Sequence, residues 1–332
     1  MEFVYGRPVA GELKKKTIRF LREASLDFDE SAEFTVCLME NGEILATGSR
    51  QGKVLKCLAV LKDIRGSGLA ARIVTELVKD AVSAGFAHLF LYTKPESGRI
   101  FEALGFYPVA GTEDVLLLEN VKNGAEKFVS SLDCPIKEGK IGCIVANCNP
   151  MTNGHLYLAE TAARSCDFLH LFILSEDCSR FPADVRMILA KRAVSHLRNV
   201  AVHPTGDYLI SAATFPDYFI RDKARVENIR CMLDLVVFAR KFAGPLHITT
   251  RFVGSEPFSR TADCYNRVMK EYLPSRKIEV EIVPRLEIGG SAVSAGRVRE
   301  LLDEGKLEKV RELVPLATYD YLKKAGWHER RE

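Results

Sequence analysis

The segment Asn149-Pro150-Met151-Thr152-Asn153-Gly154-His155 decides the fold of the second half of the chain. It follows an apolar run over residues 140–146 and precedes a helical pattern over residues 154–165. A short apolar run bounded by turn residues predicts a buried strand, so this segment joins a strand to the next helix. A strand, a loop and a helix in that order begin a βαβ unit.

The same alternation continues along the second half of the sequence. Apolar strands separated by amphipathic helices predict a parallel, doubly wound sheet of the Rossmann-like type, whose ligands bind beyond the carboxyl ends of the strands. The predicted strands cover residues 140–146, 168–174, 199–202, 248–254 and 278–283, and the predicted helices cover residues 154–165, 183–196, 222–242, 260–272 and 294–324.

The loop segment carries a phosphate-binding pattern. Thr152 is a suitable N-cap, so Gly154 and His155 fall in the first helical turn, where unpaired amides and the helix dipole favour an anion. Glycine lets a ligand approach the backbone, and His155 adds a hydrogen-bond donor. These features suit a site that holds triphosphate while one phosphorus atom changes its partner. The segment resembles the T/HxGH signature of the nucleotidylyltransferase superfamily, with Thr152 in the first position and His155 in the last.

A second motif lies near the end of the chain. The segment Val293-Ser294-Ala295-Gly296-Arg297-Val298-Arg299 resembles the late ISSTxxR motif of the same superfamily, although Ala295 and Gly296 replace hydroxyl residues. The resemblance implies that Ser294 and Arg299 contact the phosphates of ATP and that Arg297 assists. The alternative is that His155 only caps a helix and that both arginines are surface charges.

Nearly the whole chain resembles one enzyme family, the citrate (pro-3S)-lyase ligases, also called citrate lyase synthetases. Besides the two motifs, the discriminating segments are Gly254-Ser255-Glu256-Pro257 and Val314-Pro315 followed by Thr318-Tyr319; Ser179-Arg180-Phe181-Pro182 before a helix that carries Arg186 adds to the likeness. Gly254-Ser255 could instead be an ordinary strand-end turn, and Arg186 a solvated helix residue. The resemblance implies that His155 and Arg299 are catalytic and that ATP contacts Asn149, Thr152, Gly154, His155, Gly254, Ser255, Glu256, Ser294, Arg297 and Arg299.

The first half of the sequence predicts a mixed α/β sheet. Asn41-Gly42 between two apolar runs indicates a hairpin, and strand, loop and helix units follow it. The loop Arg65-Gly66-Ser67-Gly68-Leu69-Ala70 comes after an apolar run over residues 53–61 and before a helical pattern. Its glycines permit a turn in which backbone amides converge on phosphate.

This loop resembles the R/QxxGxG/A pyrophosphate loop of the GCN5-related acetyltransferases. The resemblance implies that Arg65, Gly66, Gly68 and Ala70 bind a coenzyme-A-like arm. Phe101 stands where many of these enzymes have a tyrosine general acid, and a phenyl ring cannot donate a proton. Tyr107 is not an obvious substitute, so we expect this acetyltransferase-like domain to recognise the arm without acting as a free-standing acetyltransferase.

Length and composition set the remaining expectations. The 332 residues suggest about two domains, which we place at residues 1–132 and 140–332. The 47 Lys and Arg residues against 44 Asp and Glu leave a net charge of +3, which gives no reason to expect nucleic acid as a partner.

No 18-residue apolar stretch or signal-peptide core is present, so we expect no membrane partner and a cytoplasmic location. Nine cysteines without zinc-type spacing agree with a reducing compartment. We interpret Cys143 and Cys148 as apolar fillers, and the alternative is a catalytic cysteine.

The ligase resemblance implies a two-step reaction. Acetate and ATP give acetyl adenylate and pyrophosphate, and the acetyl group then passes to the thiol of the prosthetic group on the acyl-carrier subunit of citrate lyase. ATP is a substrate and no permanent cofactor is expected; Mg²⁺ is expected from triphosphate chemistry, with its ligands unassigned. Two alternatives stay open: a pantetheine-phosphate or mononucleotide adenylyltransferase, and a regulatory protein that senses adenine nucleotide or acyl-coenzyme A without turnover.

Overall fold

A computed structural model describes residues 1–176, 179–209, 215–255 and 260–326. The chain forms two compact units, which are Met1–Glu126 with Thr214–Val236, and Lys127–Ala213 with Val237–Glu332. This division differs from the boundaries expected from sequence chiefly in residues 214–236, which belong to the first unit. Burial of aromatic side chains explains the difference, because Phe215 and Tyr218 are buried and both contact Tyr92 of the first unit.

The helices and strands of the described residues alternate along the chain. The strands are β1 Glu2–Gly6, β2 Phe34–Glu40, β3 Glu43–Gln51, β4 Val54–Val60, β5 Phe90–Thr93, β6 Tyr107–Gly111, β7 Leu116–Glu119, β8 Ile141–Ala146, β9 Phe168–Ile173, β10 Val200–Pro204, β11 Thr250–Gly254, β12 Glu279–Val283, β13 Glu287–Ile288 and β14 Ser291–Ala292. The helices are α1 Gly11–Glu23, α2 Leu69–Ser83, α3 Gly98–Glu102, α4 Gly124–Ser130, α5 Asn153–Arg164, α6 Ala183–Ala193, α7 Val226–Val237, α8 Arg260–Tyr272, α9 Ala295–Asp303, α10 Leu307–Val310 and α11 Leu316–Lys324.

The first unit contains a mixed sheet, as the sequence predicts. Its seven strands lie in the order β1-β2-β3-β4-β5-β7-β6, and neighbours are antiparallel except for β4 and β5, which are parallel. Asn41 and Gly42 both have positive φ between β2 and β3, which is the backbone of a tight hairpin turn. Helix α2 covers this sheet so closely that a Cβ at Gly48 would lie 2.7 Å from Ile73.

The second unit contains the predicted parallel sheet. Its order is β10-β9-β8-β11-β12 with every pair parallel, so β8 is central and its neighbours are β9 and β11. The chain order reverses between β8 and β11, and the ends of strands at such a switch point form a crevice for ligands. The loop that begins with Asn147 follows β8, and Gly254 closes β11, so two of the predicted site segments lie at this switch point.

The helix expected over residues 222–242 consists of α7 and a π-helical continuation over Phe238–Ala243. No helix among the described residues is both long enough and apolar enough to cross a membrane.

Candidate functional site

Thr152 caps α5 as the sequence predicts. Its side chain accepts a hydrogen bond from the His155 amide at 3.4 Å, and its own amide donates to His155 Nδ1 at 3.1 Å. This reciprocal capping box satisfies two backbone donors at the start of the helix. The Asn153 amide donates to Leu313 O at 2.9 Å. Two first-turn amides are therefore used inside the protein, so the helix offers an anion mainly its dipole and the His155 side chain.

The capping box also fixes the hydrogen on the His155 ring. Nδ1 accepts from the Thr152 amide and lies 2.8 Å from Thr152 Oγ1. Burial, with the nearby charge of Arg285, lowers the pKa of His155 to about 4, so the ring is neutral near pH 7. A neutral imidazole with an accepting Nδ1 carries its hydrogen on Nε2. His155 is therefore a preset neutral donor through Nε2.

Gly154 lets the two sequence motifs approach each other. A Cβ at this position would lie 3.1 Å from Val293 O and 3.7 Å from Val293 Cβ. Val293 comes directly before the second motif, whose Ser294 caps α9 by accepting from the Arg297 amide at 3.1 Å. The start of α5 is thus packed against the backbone that leads into α9.

The two predicted phosphate-binding arginines differ in their surroundings. Arg299 is partly buried, and its Nη1 donates to Asn149 O in the β8–α5 loop at 2.6 Å. Arg297 is exposed, and its Nη1 lies 3.1 Å from Glu300 Oε2 and 3.9 Å from Glu304 Oε1. The structure therefore brings Arg299 together with the first motif and leaves the Arg297 side chain on acidic neighbours of its own helix.

Arg186 hydrogen-bonds to the segments that follow the neighbouring strands β8 and β9. It is fully buried, and its guanidinium donates to Asn147 Oδ1 at 2.7 Å, to Leu174 O at 2.7 Å and to Phe181 O at 2.9 Å. The alternative that Arg186 is a solvated helix residue is therefore wrong. The Phe181 amide in turn donates to Asn149 Oδ1 at 3.1 Å, so Arg186 supports the loop that Arg299 contacts. In the sequence, only the family resemblance points to Arg186, because its residue type and its position in the helical pattern are equally typical of an exposed arginine.

Gly254 ends β11, and Ser255 follows it beside a cation, Arg285, that the sequence analysis missed. The Ser255 amide donates to Val283 O at 3.0 Å, and Arg285 Nε donates to Ser255 O at 2.8 Å. The positive charge of Arg285 also helps to lower the pKa of His155. Arg285 therefore lies near both the end of β11 and the first motif. Glu256 was also predicted to contact ATP, but it lies outside the described residues.

The predicted loop of the first unit has the backbone of a glycine turn. Gly66 and Gly68 have φ of +85° and +80°, and an added Cβ at either would meet no atom within 4 Å. Glycine is therefore required for its backbone conformation and not for space. Gly68 begins α2 without a side-chain cap, and Arg65 is exposed beside it. Phe101 packs in the hydrophobic core of this unit, while Tyr107 is 39% exposed.

Two comparisons cover most of the chain. A family model for the citrate lyase ligase C-terminal domain matches residues 141–322, and one for the acetyltransferase (GNAT) domain matches residues 12–115. A citrate (pro-3S)-lyase ligase of Escherichia coli K12 is 36% identical over 99% of this chain and 96% of its own length. The chain belongs to the citrate lyase ligase family. The corresponding ligase of Klebsiella pneumoniae is 38% identical over 92% of this chain and 91% of its own length.

These matches confirm the family resemblance predicted from sequence. The mixed sheet of the first unit and the parallel sheet of the second unit confirm the predicted fold classes. Family membership also makes this chain an enzyme of the ligase type. A phosphopantetheine adenylyltransferase of Streptococcus gordonii is 31% identical over 36% of this chain and 74% of its own length. The likeness to nucleotidylyltransferases is thus limited to part of the ligase chain.

Metal-ligating side chains and the two cysteines near the first motif are considered next for this ligase. They contain no group of three or more His, Cys, Asp or Glu side chains that could hold a metal ion. Burial raises the pKa of Cys143 to about 11 and that of Cys148 to about 12. Both thiols therefore stay protonated near pH 7 and suit the packing role predicted for them.

Proposed function

We propose that this chain activates acetate with ATP and transfers the acetyl group to the thiol of the prosthetic group on the acyl-carrier subunit of citrate lyase, acting in the cytoplasm. Family membership supports the reaction class. The observation that carries the proposal is the 2.6 Å hydrogen bond from Arg299 to Asn149 O, because it connects the two segments that resemble nucleotidylyltransferase motifs.

The first step would be an in-line displacement at the α-phosphorus of ATP. An acetate oxygen bonds to phosphorus as the bond to the pyrophosphate oxygen breaks, giving acetyl adenylate and pyrophosphate. His155 would donate from Nε2 to a phosphate oxygen as a neutral group, while Arg299 and the dipoles of α5 and α9 would offset negative charge. No protein nucleophile is needed, so the site acts by positioning and by charge.

The second step would transfer the acetyl group to sulfur. The thiol loses its proton, its sulfur attacks the acetyl carbonyl, and the bond from that carbon to the adenylate oxygen breaks to release AMP. We assign recognition of the arm that carries the thiol to the loop containing Arg65, Gly66, Gly68 and Ala70. The paired positive φ angles of its glycines support a phosphate-binding turn.

Magnesium would accompany ATP through the triphosphate oxygens. Because the described residues include no cluster of metal-ligating side chains, we assign the ion to no protein residue and derive no step through it.

Pyrophosphate release from ATP tests this proposal. The assay compares acetate, phosphopantetheine and no acceptor, with wild-type, His155→Ala and His196→Ala proteins. Acetate should support release, and His155→Ala should lower the rate by about 10²–10³-fold. His196→Ala is the matched control, because His196 is an exposed partner of Glu160. Release with phosphopantetheine alone would instead support a dinucleotide-forming adenylyltransferase, which the partial likeness to the Streptococcus gordonii enzyme keeps as the second candidate.

A further inference from the structure

The segments that form the candidate site carry arginine and no lysine. They are residues 141–164, 168–186, 250–255 and 279–303, which cover β8 to α5, β9 to the start of α6, β11 with Ser255, and β12 to α9. Their cations are Arg164, Arg180, Arg186, Arg251, Arg285, Arg297 and Arg299. The whole chain has 21 lysines and 26 arginines, so outside these segments the two residues are about equally common. The choice of arginine is therefore specific to the site.

Two lysines of the second unit lie at the opposite edge of the parallel sheet. Lys140 directly precedes β8, and Lys277 comes two residues before β12, so both are at the amino ends of strands. A strand rises about 3.3 Å per residue, so the six residues of β8 separate Lys140 from Asn147 by roughly 20 Å. These two lysines are thus remote from the segments that resemble nucleotidylyltransferase motifs.

The surroundings of His155 indicate what this site would do to an amine. Burial and the positive charge of Arg285 lower the pKa of His155 to about 4. Both causes disfavour a protonated group, so they would also lower the pKa of a lysine ammonium in the same place. A lysine that loses its proton in this way becomes a nucleophile. An arginine does not, because its guanidinium keeps a pKa above about 12 and remains protonated.

Acetyl adenylate, the intermediate of the proposed reaction, acylates nucleophiles. An unprotonated amine would attack its acetyl carbon, the bond from that carbon to the adenylate oxygen would break, and AMP would leave as the nitrogen loses a proton. The product is an amide, which carries no positive charge. A lysine beside the intermediate would therefore be neutralised by the site's own chemistry, whereas an arginine keeps its charge.

We propose that the second unit has a latent activity, the acetylation of amines by its bound acetyl adenylate, and that the restriction of the site's cations to arginine protects the protein from it. This inference rests on the proposed function, because it needs acetyl adenylate as the bound intermediate. The position closest to the first motif is that of Arg299, whose Nη1 lies 2.6 Å from Asn149 O. Arg297 lies on the same helix with its side chain on Glu300 and Glu304.

Acetylation of two matched variants tests this inference. Arg299→Lys and Arg297→Lys keep the charge of α9 and differ in where they place an amine. Each variant is incubated with ATP, magnesium and ¹³C-labelled acetate, and peptide mass spectrometry locates the label. Position 299 should be acetylated at least about tenfold more than position 297, because a bound reactant acts at a high effective concentration. The label should require ATP. Equal labelling of the two positions would overturn the proposal, and so would an unlabelled position 299 in a variant that still releases pyrophosphate with acetate.

A second measurement applies if Arg299→Lys cannot make its own adenylate. Synthetic acetyl adenylate is then supplied in an amount equal to the protein, with and without excess ATP. Position 299 should react ahead of position 297 in the matched variant, and ATP should block the reaction by occupying the same site. Labelling that ATP leaves unchanged would contradict the proposal.

Acetate-dependent pyrophosphate release by wild type separates this inference from the proposed function. Without such release the proposed function fails, and the inference fails with it. Release by wild type together with an unreactive amine at position 299 would remove the inference alone.

Discussion

At the scale of single residues, the candidate site depends on which hydrogen-bond donors are already engaged. His155 accepts at Nδ1 and keeps Nε2 as its donor, whereas Arg297 pairs with Glu300 and Glu304 on its own helix. Arg299 donates from Nη1 to Asn149 O and so lies beside the first motif. Arg297 and Arg299 belong to the same sequence motif, but their side chains have different surroundings.

This contrast predicts unequal effects of two substitutions on α9. Arg299→Ala should lower the rate of acetate-dependent pyrophosphate release by about 10²–10³-fold, because it removes a charged donor from the proposed phosphate site. Arg297→Ala should change the rate by less than about threefold, since exposed ion pairs contribute little. Steady-state kinetics on both variants, with circular dichroism to confirm folding, measures the difference. Losses of similar size would mean that Arg297 turns into the site when ATP binds.

At the scale of elements, the site is made where β8 and β11 end and where α5 and α9 begin. Gly154 matters here because the start of α5 lies against Val293, which leads into α9. A glycine in the first helical turn of a phosphate motif suggests space for a ligand, whereas the structure shows a close approach between Gly154 and Val293. The sequence pattern alone could not distinguish the two, because both require the same missing side chain.

Gly154→Ala should therefore disturb the contact between the two motifs. The added Cβ would lie 3.1 Å from a backbone oxygen, and such overpacking costs about 1–3 kcal/mol. We expect a lower free energy of unfolding in urea and slower pyrophosphate release. Gly244→Ala is the matched control, since a Cβ there meets no atom within 4 Å and φ is −61°. Equal free energies of unfolding for the two variants would show that α5 can shift away from Val293 without loss of stability.

At the scale of the whole molecule, the sequence predicted both fold classes and all five strands of the parallel sheet. Strong periodicity and the two motifs account for that success. The sequence did not predict that residues 214–236 belong to the first unit, because no local pattern reports that Tyr218 bonds to strands far away in the chain. The sequence analysis missed Arg285 and named Arg186 only through the family resemblance, since the contacts of both arginines are with backbone carbonyls that only the fold brings near.

The proposed division of labour between the two units can be tested at α2. Gly68→Val forces a branched side chain to φ of +80° in the proposed arm-binding loop, and Gly85→Val imposes similar strain at the other end of the same helix, where φ is +88°. Gly68→Val should raise the concentration of acyl-carrier protein needed for half-maximal acetylation and spare acetate-dependent pyrophosphate release. Gly85→Val should do neither beyond a loss of stability. Equal loss of both steps in Gly68→Val would refute the assignment.

The central claim is that an acetate oxygen attacks the α-phosphorus of ATP. The most direct measurement is mass spectrometry of the AMP formed from ¹⁸O-labelled acetate, ATP and the deacetylated acyl-carrier subunit. Attack by the carboxylate, followed by cleavage of the bond from the acetyl carbon to oxygen, leaves one acetate oxygen on phosphorus, so the AMP should carry a single ¹⁸O atom. AMP formed without the label, in a reaction that still acetylates the carrier, would contradict the account.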